Sequence, residues 1–134
     1  NKINVKAYGN GWPNGSIPPE KTSELFRRSK IILGSGKVGH SKKITTLKMR
    51  DFDAPMTGSV YLTDFNPDLL EFYELDKEIK LFSNKKECLQ IVKYLLSNPK
   101  ECLAIGRRAQ KRCMSEHAWA IRFKSVLNLI NRTI

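Results

Sequence analysis

The chain has 134 residues, a length that suits one domain with a real core and is short for a complete two-domain enzyme. Its 40% hydrophobic and 28% charged residues are ordinary for a folded domain, and no apolar run approaches the roughly 20 residues that span a bilayer. The formal charge of +11 is the unusual quantity; it favours polyanions, phosphorylated ligands or an anionic membrane surface as partners without choosing among them.

The sequence begins at Asn1 rather than Met and enters at once the apolar alternation Ile3, Val5, Ala7. A cut inside a larger protein is expected, and with it the loss of any targeting segment. Ile3 to Tyr8 is read as a first strand. A glycine-rich loop follows, Gly9-Asn10-Gly11-Trp12-Pro13-Asn14-Gly15, then a helix starting near Thr22 and carrying Leu25 and Phe26.

Lys30 to Leu33 is the second strand, followed by another glycine-rich loop, Gly34-Ser35-Gly36-Lys37-Val38-Gly39. Lys43 to Met56 places Leu47, Phe52 and Met56 on one helical face, which Gly58 ends. Val60 to Thr63 and Ile79 to Phe82 are the third and fourth strands. Cys88, Leu89, Val92, Leu95 and Leu96 then recur at helical spacing.

Asn98-Pro99-Lys100-Glu101 reads as a helix start, with Asn98 as N-cap, Pro99 at the first helical position and Glu101 closing a capping box. Its inner face is Cys102, Ile105, Ala109 and Cys113, and a last helix carries Trp119, Phe123, Val126, Leu127 and Ile130. Residues 98–134 form a C-terminal helical part of a single domain spanning 1–134. Apolar runs alternating with helices are the signature of βαβ units, so an α/β fold with a parallel sheet of about four strands is expected.

Ligands of open parallel sheets bind at the carboxyl ends of the strands, where both glycine loops fall. Glycine lets backbone N–H groups approach phosphate oxygens, yet the 34–39 segment has neither the dinucleotide nor the P-loop spacing and by itself reads as a plain loop. Trp12 is either a stacking surface for a base or a lid on the core. Arg50 and Asp53 lie one helical turn apart, either to meet a diphosphate and ribose hydroxyls or to form an exposed ion pair.

Three cysteines, Cys88, Cys102 and Cys113, are read as reduced, core-facing thiols of a cytoplasmic protein, far in sequence from His40 and His117 and so not a metal set. His117 is read as a structural hydrogen-bonding residue. Arg107, Arg108, Lys111 and Arg112 form a basic run, by default a solvated face and otherwise a contact for anionic lipid headgroups or another domain.

The order Tyr8-Gly9-Asn10-Gly11-Trp12, Lys30-Ile31-Ile32-Leu33-Gly34, Leu47-Lys48-Met49-Arg50-Asp51-Phe52-Asp53-Ala54 and Gly58 through Thr63 resembles the C-terminal domain of CgeB-like GT-B glycosyltransferases. Glu116-His117-Ala118-Trp119-Ala120-Ile121-Arg122 is similar to that group's H-[ST]-[YW]-x-x-R signature. The resemblance covers nearly the whole chain and implies the Rossmann-like donor half of a GT-B fold. It further implies a nucleotide diphosphate sugar as ligand, and an acceptor held by a missing N-terminal domain.

By that resemblance Arg50 approaches the diphosphate, the carboxylate at 53 holds the ribose, Gly9, Gly11 and Trp12 lie near the base, and Gly58 permits the turn into the third strand. Asp53 stands where the group has glutamate, and Thr45 stands where many retaining enzymes have the first glutamate of an E-x7-E pair. No general base is therefore assigned. No metal or cofactor is called for, Asp51 and Asp53 having D-x-D spacing inside a helix. The rival readings are a noncatalytic module holding nucleic acid or another polyanion, disfavoured by scattered lysines, and a degenerate transferase domain kept for protein interaction.

Overall fold

A computed structural model describes residues 3–39, 41 and 44–133. In chain order these form α1 (Pro19–Arg27), β1 (Ile31–Leu33), α2 (Arg50–Met56), β2 (Val60–Asp64), a 3-10 turn (Pro67–Glu71), β3 (Lys80–Phe82), α3 (Lys85–Ser97), α4 (Pro99–Arg112), a π-turn (Cys113–His117) and α5 (Trp119–Thr133). The strands form one parallel sheet in the order β1-β2-β3, with Ile31 opposite Val60 and Leu62 opposite Lys80.

All five residues of β2 are buried, as the central strand of a sheet covered on both faces must be. Successive side chains point to opposite faces. Tyr61 accordingly joins Ile32, Ala54, Leu69, Tyr73 and Cys113 on one face, while Val60 packs with Leu95, Cys102 and Ile105 on the other. The core is thus two clusters divided by three short strands.

The expected strand Ile3 to Tyr8 does not form. The segment pairs with no strand among the described residues, and its Val5 is 76% exposed, so the alternation has no sheet face to bury against. Among the described residues the sheet has three strands, not about four. α1 begins at Pro19, ahead of Thr22, because proline's fixed φ suits the first helical position.

The helix expected over Lys43 to Met56 is only its second half, Arg50–Met56. Lys43 and His40 lie outside the described residues. Before it, Lys37 and Thr45 form an antiparallel bridge, with Thr46 N–H donating to the Gly36 carbonyl at 2.9 Å. Gly58 ends α2 at φ +86°, a conformation that favours glycine.

The capping box expected at Asn98 is absent. Asn98 Nδ2 donates back to the Tyr94 carbonyl at 2.8 Å, and Glu101 accepts the Tyr94 hydroxyl at 2.5 Å. Tyr94, one turn upstream, captures both groups. A cap of this kind occurs at α3 instead, where Asn84 Oδ1 accepts from Glu87 N–H at 3.0 Å and Glu87 Oε2 accepts from Ser83 N–H at 2.7 Å.

The expected inner face is buried, with Cys102, Ile105 and Ala109 on α4 and Cys113 at the start of the π-turn. Cys88 is only partly buried. α5 has the same periodicity and the opposite fate, leaving Trp119, Phe123, Val126, Leu127 and Ile130 about half exposed. Among the described residues no helix is long and apolar enough to cross a membrane.

Candidate functional site

The carboxyl ends of β1 and β2, the loop 34–39 and the first turn of α2 meet at one edge of the sheet. Asp51 anchors that meeting point. Its buried carboxylate accepts Lys48 N–H at 2.6 Å and the Tyr61 hydroxyl at 2.6 Å, while its carbonyl accepts the Tyr73 hydroxyl at 2.8 Å. Burial, and then the Asp51 carboxylate beside it, push the Tyr61 phenol far above its ordinary range, so it stays a proton donor.

With Asp51 turned inward, Arg50 and Asp53 on α2 are exposed. No ion pair joins them among the described residues. Partial burial raises the Asp53 pKa. The two acids of the D-x-D spacing therefore face different surroundings, and among the described residues no group of three His, Cys, Asp or Glu is arranged to hold a metal ion.

The second glycine loop is already bound to a carboxylate of the chain itself. Asp64, the last residue of β2, accepts Gly36 N–H at 2.7 Å and the Ser35 hydroxyl at 2.9 Å, with Lys37 Nζ at 3.9 Å. Its glycines serve packing: a Cβ on Gly34 would lie 2.1 Å from the Tyr61 hydroxyl oxygen, and one on Gly36 would lie 3.2 Å from Asn66 Nδ2. Lys48 Nζ adds a bond to the Lys37 carbonyl at 3.0 Å, which ties the loop to the residues just before α2.

Gly9, Gly11 and Trp12 sit in a compact double turn. Gly9 N–H donates to the Gly15 carbonyl at 2.8 Å and Trp12 N–H to the Gly9 carbonyl at 3.1 Å, with Gly9, Gly11 and Gly15 all at positive φ. Among the described residues its hydrogen bonds close on itself and on Ala7, leaving Trp12 58% exposed. Gly58 stands elsewhere, at the amino end of β2, where a Cβ would meet the Gln110 side chain at 3.3 Å. The structure thus brings Arg50 and Asp53 together, and leaves Gly58 at the other edge of the sheet.

The C-terminal signature is a clamp. His117 Nε2 lies 3.1 Å from the Phe72 carbonyl, which can only accept, so Nε2 carries the proton. The imidazole meets Phe52, Phe72 and Tyr73 edge-on at 5.4–5.7 Å, and Arg122 lays its guanidinium 4.3 Å from the centre of the Phe52 ring. His117 and Arg122 together fasten the start of α5 to α2.

The basic run on α4 is not uniformly solvated. Arg112 bonds Glu78 at 2.7 Å and Glu116 at 3.1 Å, and Arg108 Nε donates to the Lys77 carbonyl at 2.7 Å. Asp51 and Asp64, which order this edge, were not singled out as structural acids by the sequence. The available signal for Asp51 was its place in the first turn of a helix, where a carboxylate accepts free N–H groups.

A family model described as glycosyl transferase-like matches residues 1–128. No curated protein and no solved structure matches the chain.

Proposed function

The chain belongs to the glycosyl transferase-like family, and on that premise we propose that it is a donor domain binding a nucleotide diphosphate sugar. The three-stranded parallel sheet with flanking helices fits the Rossmann-like half of a GT-B enzyme. One observation carries the reading: Arg50 opens α2 at the carboxyl edge of the sheet, exposed and without an acidic partner among the described residues, with Asp53 one turn on.

In this reading Arg50 neutralises the departing diphosphate, the main catalytic service the domain provides, and Asp53 accepts hydrogen bonds from the ribose. Trp12 with Gly9 and Gly11 offers an exposed aromatic for the base, and Gly58 acts indirectly by setting the turn from α2 into β2. The motif order supports the CgeB-like group, and in this reading the acceptor belongs to a separate N-terminal domain. The uncovered apolar residues of α5 supply a surface for such a domain. A reducing cytoplasmic setting suits the three free cysteines.

The charge of +11 favours a second reading, a noncatalytic module that holds a polyanion, with an anionic membrane surface among its partners. Calorimetric titration with UDP, GDP, ADP and a short single-stranded oligonucleotide at two salt concentrations separates the two. Saturable binding of one nucleotide is expected, weakened roughly tenfold to a hundredfold by Arg50→Ala. Oligonucleotide binding with steep salt dependence and no nucleotide binding would establish the second reading instead.

A further inference from the structure

We propose a second ligand site at the amino edge of the sheet, a recess that takes a phosphate ester carrying an apolar group. The recess has a volume of about 430 Å³ and lies where α1 ends, where β1 and β2 begin, and where α4 starts at Pro99. It is at the opposite end of the strands from Arg50, and of the residues in the donor-site reading only Gly58, which sets the turn from α2 into β2, borders it.

Four cations line it, Arg27, Arg28, Lys30 and Arg107, and no Asp or Glu does. Among the described residues only Arg28 of the four is in an ion pair, with Glu24 at 3.7 Å, and both partners are well exposed. Such a pair is worth little and yields readily to a stronger anion.

The main-chain groups at the recess do not oppose an anion. α1 ends here with its negative dipole end, but its last carbonyls are engaged: Phe26 accepts Ser29 N–H at 3.0 Å, and the single Ser59 hydroxyl hydrogen, with Oγ 2.6 Å from both the Phe26 and Ser29 oxygens, is left to serve Ser29. The 14-residue α4 begins here with its positive end.

The rest of the lining is polar on one side, with Thr57 and Gln110, and apolar on the other. Leu95 and Cys102 are buried at its base, and Leu103 is 51% exposed beside them. The Cys102 thiol donates to the Lys30 carbonyl at 3.6 Å, which joins the apolar base to the start of β1. Cations over a partly uncovered apolar wall suit an amphiphile in which a phosphate meets the guanidinium groups and a hydrocarbon portion covers Leu103.

The ligand is either the headgroup region of an anionic lipid or a free phosphate ester, and both are probed on the whole chain. Dodecyl phosphate below its micelle concentration is expected to bind saturably and to shift the Cys102 and Leu103 amide resonances. Arg27→Gln with Arg107→Gln weakens it tenfold or more, while Arg50→Ala leaves it unchanged. Co-sedimentation with phosphatidylglycerol vesicles, but not with phosphatidylcholine vesicles, lost in the same double variant, identifies the lipid source; dodecyl phosphate binding without vesicle binding identifies the free ester. Absence of saturable binding, resonance shifts elsewhere than the recess, or equal loss in Arg50→Ala overturns the site.

Discussion

The Tyr61 hydroxyl donates to Oδ1 of Asp51 across 2.6 Å, joining the central strand to the first turn of α2 beneath the exposed Arg50. Removing the donor leaves a buried carboxylate one hydrogen bond short. Tyr61→Phe should cost about 1–3 kcal/mol in urea unfolding. It should also weaken nucleotide binding, since Arg50 loses the support of its own turn. An unchanged unfolding midpoint would mean that Lys48 N–H alone satisfies Asp51.

At the opposite end of α2, Gly106 of α4 faces Gly58. A Cβ on Gly106 would stand 2.0 Å from the Gly58 carbonyl oxygen, and backbone cannot swing aside as a side chain can. Alanine gains up to about 1 kcal/mol in helix propensity over glycine, but the overlap outweighs it. Gly106→Ala should lose on the order of 2 kcal/mol net, read from the shift in urea midpoint.

These two contacts mark what sequence could and could not convey. Periodicity identified the face of α4 that holds Cys102, Ile105, Ala109 and Cys113, because an amphipathic stripe is local information and the sheet covers it. The same periodicity in α5 gave a face and no cover for it, since coverage depends on what packs there. Ile3, Val5 and Ala7 alternate as a strand does, yet a strand exists only when its backbone finds a ladder. Gly34 and Gly36 read as part of a plain loop, and the constraints that require them, Tyr61 and Asn66, lie 27 and 30 positions further along the chain. The placement of Arg50 and Asp53 on one helix was legible because a single turn relates them. Asp64 was not, because its hydrogen-bond partners lie 28 and 29 residues away.

In the proposed donor site Asp53 would have to be ionised to accept ribose hydroxyls at both carboxylate oxygens, and partial burial raises its pKa above the usual 3.8. Nucleotide affinity should therefore decline on acidification at a higher pH than an ordinary aspartate would allow, while remaining level toward neutral pH. Asp53→Ala should remove this acid limb. Asp53→Glu restores one methylene of reach and should tighten binding several-fold if the shorter side chain limits contact with the ribose. Titration calorimetry between pH 4 and 7 reads all three; an acid limb that persists in Asp53→Ala would assign it to another group.

The Asp64 carboxylate occupies the N–H of Gly36 and the hydroxyl of Ser35, the groups an incoming phosphate would otherwise use. Asp64→Ala should lower the thermal midpoint, because a buried, hydrogen-bonded acid is lost. It should also make that midpoint rise with inorganic phosphate more steeply than in the parent chain, since an anion that binds only the folded state stabilises it by mass action. Equal phosphate dependence in the two proteins would show that the loop collapses without Asp64 instead of opening to an anion.

The Cys113 thiol lies 3.1 Å from the Tyr73 hydroxyl in the buried cluster, and burial pushes its pKa from 9.0 up to about 11. The unfolded thiol ionises near 9, so between pH 9 and 11 the unfolded chain has released a proton that the folded chain still holds. Stability from this group is therefore complete below about pH 9 and is lost as pH rises through 11. Tyr73, whose phenol burial also pushes upward, acts with the same sign and begins to contribute near pH 10. Urea midpoints at pH 7, 9 and 10.5 should fall progressively in the parent chain. Cys113→Ala should start lower, having lost packed volume, and fall less steeply; parallel slopes would assign the alkaline loss to the buried phenols of Tyr73 and Tyr61.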